Sequence, residues 1–337
     1  MAKRSFIFLL LLSLFPFATA PAQAAQSKIK IGIVYDVGGR GDKSYDDAAA
    51  IGIDAAKKKF GLSDFDVREL VTTGIDFDRE NRVEFLVKAK YDLVIGIGPS
   101  FNQAMTFMSE KYPENQFAIV GSSGVESLNV SCMAFGMNEG SYLAGIMAAL
   151  NSKSGKVGYL GDSDNPKNDL ALRNFQAGVK SAAKKVKVFA RNPNTSADAD
   201  ITNLAGQGVD VIFANWSRNS SVITSLTKLA KAKKSIKLIG VRPEQFFLAT
   251  KDAQKFLIGY VNQRFDLAVI DLFTAAVANK TITEDVDAAN GVFGRKYNLA
   301  NNGVDLIATN ANQASKSAVA KAKAAILAKN IKVINQP

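Results

Sequence analysis

The chain has 337 residues, of which 47% are hydrophobic and 22% are charged, and its formal net charge is +11. Its length corresponds to about two domains, and its composition excludes a wholly disordered, collagen-like, coiled-coil or polytopic membrane protein. The sequence contains no histidine and one cysteine. This excludes serine–histidine or cysteine–histidine catalysis, histidine-bound metal and an internal disulfide. We therefore expect neither a metal site nor a cofactor.

Residues 1–25 are predicted to be a secretory signal peptide. Lys3 and Arg4 precede the apolar run 6–17, and the segment Ala22-Gln23-Ala24 has the small-x-small pattern of a cleavage site. The apolar run is too short to cross about 30 Å of hydrocarbon as a helix. Because no cysteine lies near the cleavage site, we expect a periplasmic protein without a lipid anchor.

Short runs rich in valine and isoleucine alternate with longer amphipathic segments along the rest of the chain. The predicted strands are Ile29–Tyr35, Val67–Val71, Leu93–Ile97, Phe117–Val120, Val157–Leu160, Val186–Ala190, Val211–Ala214, Leu238–Val241 and Phe256–Val261. The predicted helices are 43–59, 78–89, 102–111, 138–150, 168–183, 199–206, 219–233 and 265–278. Short apolar strands separated by helices indicate buried parallel sheets and an α/β fold.

The predicted strands are too many for a single open sheet of ordinary size. We therefore predict that the chain forms two lobes. Crossings between the lobes are predicted at Gly121–Asn129, Ala249–Gln254 and Ala288–Gly294. The predicted N-terminal lobe is 26–121 plus 255–288, and the C-terminal lobe is 122–254 plus 289–337. Several crossings form a hinge beside a cleft, and ligands of such sheets bind at the carboxyl ends of the strands.

The segment after the first strand supplies the first candidate site residues, Asp36, Ser44, Tyr45 and Asp46. The spacing of its glycines matches neither a dinucleotide-binding loop nor a phosphate-binding loop. Carboxylates accept hydrogen bonds from neighbouring hydroxyls, and an aromatic ring stacks on a planar ligand. Turn and helix-capping roles, with Ser44 or Asp42 as the cap, remain the alternative interpretation.

Further candidates follow the other strands. They are Ser100, predicted to cap a helix, with Phe101, Asn215, Trp216, Arg242 and Gln263. Aromatic rings, amides and charges together suit a flat polar molecule. Neither a nucleophile beside a base nor a metal-like group of carboxylates stands out, so the sequence predicts a binding protein rather than an enzyme.

Several segments carry a recognisable family pattern. The segment from Asp36 to Tyr45 is similar to D-x-G-G-x-x-D-x-S-F-N, residues 139–145 are similar to E-G-A-Y-L-A-G, and supporting matches lie at 112–119, 156–159, 175–178 and 208–212. On these residues the chain resembles the basic membrane protein family of ABC-transporter substrate-binding proteins, in particular its purine nucleoside receptor branch. The resemblance implies a type I periplasmic-binding-protein fold and a monomeric receptor that delivers a solute to permease subunits.

The resemblance also implies roles for individual residues. Asp36 would face sugar hydroxyls, Tyr45 and Phe175 would stack on a base, and Asp46 would lie near the edge of the base. Four positions depart from the family pattern: acids are replaced by Gly121 and Arg242, a lysine by Gln263 and an asparagine by Asp46.

We expect a nucleoside or related planar heterocycle as the ligand, and Arg242 admits an anionic solute instead. Two other classes remain open: a sensory subunit that presents its ligand to a membrane receptor, and an exported hydrolase that uses Asp36 and Asp46. Nucleic acid is not an expected partner, because the lysines recur with alanines at helical spacing, as on a solvated helix face.

Overall fold

The computed structural model describes residues 29–42, 44–161, 168–193, 196–216, 219–241 and 251–335. The strands are β1 Ile31–Tyr35, β2 Val67–Val71, β3 Leu93–Ile97, β4 Gln116–Val120, β5 Val130–Phe135, β6 Lys156–Leu160, β7 Lys187–Arg191, β8 Val211–Ala214, β9 Lys237–Val241, β10 Leu257–Gln263, β11 Glu284–Asp287, β12 Val292–Tyr297 and β13 Val304–Ala308. The helices are α1 Tyr45–Phe60, α2 Asp76–Lys88, α3 Asn102–Lys111, α4 Met137–Asn151, α5 Asn168–Ala182, α6 Asp198–Gly206, α7 Asn219–Lys231, α8 Lys251–Gln254, α9 Phe265–Val277 and α10 Gln313–Leu327. Within these ranges, no helix has both the length and the apolar character needed to cross a membrane.

The strands form two sheets, which confirms the predicted α/β class. The first sheet has the order β11-β12-β5-β4-β3-β1-β2 and the second has the order β13-β10-β9-β8-β6-β7. Neighbouring strands are parallel except for the pairs β11–β12 and β10–β13, which are antiparallel. Every residue of β1 and β3 is buried, as expected for parallel strands covered on both faces.

The crossings between the sheets differ from the predicted ones. The chain leaves the first sheet after Phe135, returns to it at Arg264 and leaves it again after Tyr297. The segment Gly121–Asn129 only connects β4 to β5 within one sheet, where the backbone N–H of Gly121 donates to the Met133 carbonyl at 2.8 Å. Strands β5 and β12 therefore belong to the first lobe and β10 to the second, opposite to the predicted assignment.

Helices cover both faces of each sheet. In the first lobe, α1 and α9 share one core with the sheet, and α2 and α3 share another core on its other face. In the second lobe, α4, α5 and α10 cover one face while α6 and α7 cover the other. Each sheet is thus buried between helices on both faces. The carboxyl ends of its strands are not covered by this packing, so a ligand can approach there.

Glycines bring α4 and α5 into close backbone contact. A Cβ atom at Gly145 would overlap the Phe175 carbonyl oxygen, and one at Gly178 would overlap the Tyr142 carbonyl oxygen. The side chain of Glu139, at the start of the same motif, accepts a hydrogen bond from the backbone N–H of Leu299 at 2.8 Å. The segment 139–145 therefore lets α4 pack closely against α5 and holds the chain at the third crossing.

We expect Gly145→Ala to lower the free energy of unfolding by about 1–3 kcal/mol, because the added methyl group meets backbone that cannot move aside. Urea unfolding measures the change. Gly206→Ala is the matched control, since nothing lies within 4 Å of a Cβ atom at this helical position. Equal stability of the two variants would contradict the packing role of Gly145.

Candidate functional site

The carboxylate of Asp36, directly after β1, is surrounded by protein donors. It accepts hydrogen bonds from the Ser100 hydroxyl at 2.7 Å, the Thr72 hydroxyl at 3.2 Å and Nη2 of Arg79 at 2.9 Å. Burial opposes ionisation of Asp36, but these bonds from Ser100, Arg79 and Thr72 outweigh it and hold the pKa of the carboxyl below its usual range. A ligand hydroxyl would have to join or displace one of these donors to reach Asp36.

Ser100 does not cap a helix as predicted. Pro99 begins a 3-10 turn that ends at Phe101, and α3 begins only at Asn102. The turn leaves the Ser100 hydroxyl pointing at Asp36, so two of the predicted site residues are in direct contact.

Asp42 is the residue that caps α1. Its carboxylate accepts hydrogen bonds from the backbone N–H groups of Ser44 at 2.7 Å and Asp47 at 3.1 Å. Ser44, at the N-cap position, makes no side-chain capping bond. Of the two predicted caps, the structure therefore assigns the capping role to Asp42.

Asp46 is almost completely buried in the first turn of α1, with 2% of its surface exposed. Burial, and then repulsion from Asp42 and Asp36, raises the pKa of Asp46 to about 8. The neutral carboxyl group has one donor and one acceptor oxygen. At neutral pH it therefore resembles the asparagine amide that it replaces in the family pattern.

The ring of Tyr45 is partly exposed and stacks on Phe265, with centroids 4.6 Å apart and an interplanar angle of 17°. The other predicted aromatic residues lie in the cores. Phe101 and Phe175 are fully buried and Trp216 is 2% exposed; Phe175 packs against Tyr159 and Phe213. The expected second aromatic face at Phe175 is therefore not offered in this structure, because that side of α5 faces the sheet.

Asn215, at the end of β8, belongs to a chain of polar contacts in the second lobe. Its side-chain amide donates to the Tyr159 hydroxyl at 3.0 Å, and that hydroxyl donates to the side chain of Asn168 at 2.9 Å. Gln263 is half-buried at the end of β10, one residue before the second crossing. Arg242 lies outside the described residues.

Sequence reasoning missed Arg79, which is 9% exposed and joins Asp36 to Asp76. The i,i+3 spacing of Asp76 and Arg79 was a signal for an ion pair, but nothing local pointed to Asp36, 43 residues away. The stacking of Phe265 on Tyr45 was also missed. Tyr45 begins α1 and Phe265 begins α9, and these two helix ends meet only in the folded lobe.

The buried carboxyl of Asp46 predicts an unusual pH dependence of stability. Its folded pKa lies above its usual value of 3.8, so the native state keeps a proton that the unfolded chain loses as pH rises. Stability from this group is complete below about pH 4 and is lost as pH rises towards about 8, with a slope of at most about 1.4 kcal/mol per pH unit. We expect Asp46→Asn to remove this decline.

Urea unfolding between pH 5 and pH 9 compares the two proteins. Asp285→Asn, which changes an exposed aspartate on β11, should retain the wild-type pH profile. Parallel profiles for wild type and Asp46→Asn would refute the raised pKa.

Known proteins resemble the chain in sequence over most of its length. Residues 28–272 match the family model for Bmp, described as ABC transporter substrate-binding protein PnrA-like. The chain is 27% identical over 325 residues to the ABC transporter nucleoside-binding protein BmpA of Lactococcus lactis subsp. cremoris, covering 92% of this chain and 90% of the relative. It is 29% identical over 266 residues to a CD4+ T-cell-stimulating antigen of Listeria monocytogenes, covering 74% and 73%.

Solved structures share the fold at lower identity. An ABC transporter solute-binding protein from Aeropyrum pernix K1 superposes with a TM-score of 0.71 at 18% identity, covering 91% of this chain and 94% of that one. A solute-binding protein from Conexibacter woesei superposes with a TM-score of 0.64 at 15% identity, covering 91% and 99%. These likenesses confirm the type I periplasmic-binding-protein fold. The match to the family model over residues 28–272 shows that the chain belongs to the Bmp family of PnrA-like ABC transporter substrate-binding proteins.

Proposed function

We propose that this protein captures a nucleoside or a related planar heterocycle and delivers it to the permease of an ABC importer. The observation that carries the proposal is the partly exposed ring of Tyr45, held parallel to Phe265 and next in sequence to the buried carboxyl of Asp46. The name of the Lactococcus relative, a nucleoside-binding protein, supports the same ligand class.

Each first-lobe residue has a role that follows from its surroundings. Tyr45 stacks on the base, and stacking of a base on an aromatic side chain contributes about 1–3 kcal/mol. The neutral carboxyl of Asp46 both donates to and accepts from the edge of the base. Asp36 receives a ribose hydroxyl in exchange for one of its present donors, of which Ser100 is the closest at 2.7 Å.

We expect Tyr45→Ala to weaken nucleoside binding by 10-fold or more, which corresponds to about 1.4 kcal/mol. Titration calorimetry with adenosine, inosine, guanosine and uridine measures the affinity, after carried-over solute has been removed by unfolding and refolding. Phe107→Ala, at an aromatic residue of the same lobe that is 46% exposed on α3, is the matched control and should bind as the wild type does.

Titration with adenosine monophosphate and flavin mononucleotide, added to the same panel, separates the alternative ligands. Binding of adenosine monophosphate or flavin mononucleotide without binding of any nucleoside would replace the proposed class by an anionic solute. Absence of binding to every compound would overturn the proposal. Capture of a sensor rather than a permease by the ligand-bound protein would assign it to a sensory complex.

A hydrolase that uses Asp36 and Asp46 is the second candidate, because the pKa values of the two carboxyls are moved in opposite directions and such pairs occur in acid–base catalysis. Binding without catalysis is favoured because the Asp36 carboxylate already pairs with the guanidinium of Arg79 at 2.9 Å, which makes it a weaker base and nucleophile. Chromatography of incubated nucleosides decides: release of free base by the wild type, abolished in Asp46→Asn, would establish hydrolysis.

The mature protein is proposed to be a periplasmic monomer without a lipid anchor. The only cysteine of the sequence, Cys132, lies buried in β5, where it is not available to an acylating enzyme. We expect the intact mass of the exported protein to correspond to cleavage after Ala24 or Ala25 without an added acyl chain. A retained leader or a membrane-bound acylated form would contradict this assignment.

A further inference from the structure

Four aromatic rings form a continuous stack in the first lobe. Tyr45 stacks on Phe265 at 4.6 Å, Phe265 on Phe135 at 4.8 Å, and Phe135 on Tyr297 at 5.0 Å between centroids. The interplanar angles are 17°, 7° and 24°. These distances lie within the range in which stacked rings attract each other, so the orientation of each ring depends on its neighbour.

The inner three rings stand at the three crossings between the lobes. Phe135 is the last residue of β5 before the first crossing, Phe265 is the first residue of α9 after the second, and Tyr297 is the last residue of β12 before the third. The backbone also joins the first and third crossings, since the N–H of Gly136 donates to the Tyr297 carbonyl at 2.8 Å. The stack therefore begins at Tyr45 and ends at the hinge.

Phe265 occupies a space that exists only because residue 121 is glycine. A Cβ atom at Gly121 would lie 2.6 Å from Cζ of Phe265, and the backbone there has a φ of +96°, which side chains other than glycine rarely adopt. The family pattern has an acid at this position. An aspartate at 121 and the present position of the Phe265 ring exclude each other.

We propose that Phe265 is a positioning residue, seated against Gly121, that fixes the orientation of the Tyr45 ring and links it to the three crossings. The inference rests on the proposed function in that Tyr45 is the ring that receives the ligand. Through Phe135 and Tyr297 the stack joins Tyr45 to the backbone at the crossings. A ring that is already parallel to its support needs little reordering when a base stacks on it, which lowers the cost of binding.

The test reports on Tyr45 without a ligand. The protein is labelled with 3-fluorotyrosine, and the fluorine resonance of Tyr45 is assigned with Tyr45→Phe. In Phe265→Leu we expect this resonance to move downfield, because the ring that shields it from one face has been removed. Phe273→Leu is the matched control: Phe273 is on the same helix and in the same core, is fully buried, and lies outside the stack. It should destabilise the lobe without moving the Tyr45 resonance.

Phe265→Met serves as a second variant if Phe265→Leu does not fold, since methionine adapts to the space of the lost ring. A Tyr45 resonance that stays in place in the folded Phe265 variant, or that moves equally in Phe273→Leu, would overturn the proposal. Phe135→Leu removes the next ring of the stack, on the side of the hinge. We expect this variant to move the Tyr45 resonance by a smaller amount than the Phe265 variant does.

Adenosine binding provides the functional arm. We expect the folded Phe265 variant to bind adenosine at least 10-fold more weakly than the wild type, and Phe273→Leu to bind it within about 2-fold, a difference of about 0.4 kcal/mol. If the wild type binds no nucleoside, the proposed function fails while the fluorine spectra still decide the positioning role. If the wild type binds adenosine and Phe265 variants bind it equally well, the positioning role fails while the proposed function stands.

Discussion

The contact between the rings of Tyr45 and Phe265 joins parts of the chain that are 220 positions apart in the numbering. One ring begins the first helix and the other begins the helix that follows the second crossing. Through this contact, the helix pair α1–α9 fixes the candidate site and the hinge in one core. Displacing either helix would move the loop after β1 and the crossing together, so the site and the hinge are built as a unit.

The charges near the end of β1 bear on the kind of ligand that the proposed site at Asp36, Tyr45 and Asp46 would accept. Three carboxylates, Asp36, Asp42 and Asp46, lie near the end of β1, and Arg79 pairs with Asp36 and with Asp76. Asp36 takes the ion pair, Asp42 takes the backbone N–H groups of α1, and Asp46 is left to hold a proton. What remains is a group of hydrogen-bonding side chains and an aromatic ring with an excess of negative charge, because Arg79 is shared between Asp36 and Asp76. Such a group suits an uncharged polar heterocycle better than an anion.

Local sequence predicted the buried strands well because β1 and β3 are continuous apolar runs, whose burial does not depend on their neighbours. It failed for β5, β11, β12 and β13, where polar or charged residues interrupt the pattern and sheet membership depends on pairing with distant strands. The site followed the same rule. The position of Tyr45 and Asp46 at the start of α1 was predictable from the loop after β1. The burial of Phe175 and Trp216 depends instead on which side of an element faces the sheet.

The motifs that identify the family and the positions that select a ligand are different residues. Gly145 and Gly178 permit two helices to approach at backbone distance, and Glu139 holds the third crossing; these requirements apply to any ligand. The departures at Gly121 and Asp46 lie at the proposed site and would alter it while leaving that framework intact. A chain can therefore match its family over residues 28–272 and still select a different member of the ligand class, because packing constrains the framework and only a few side chains meet the solute.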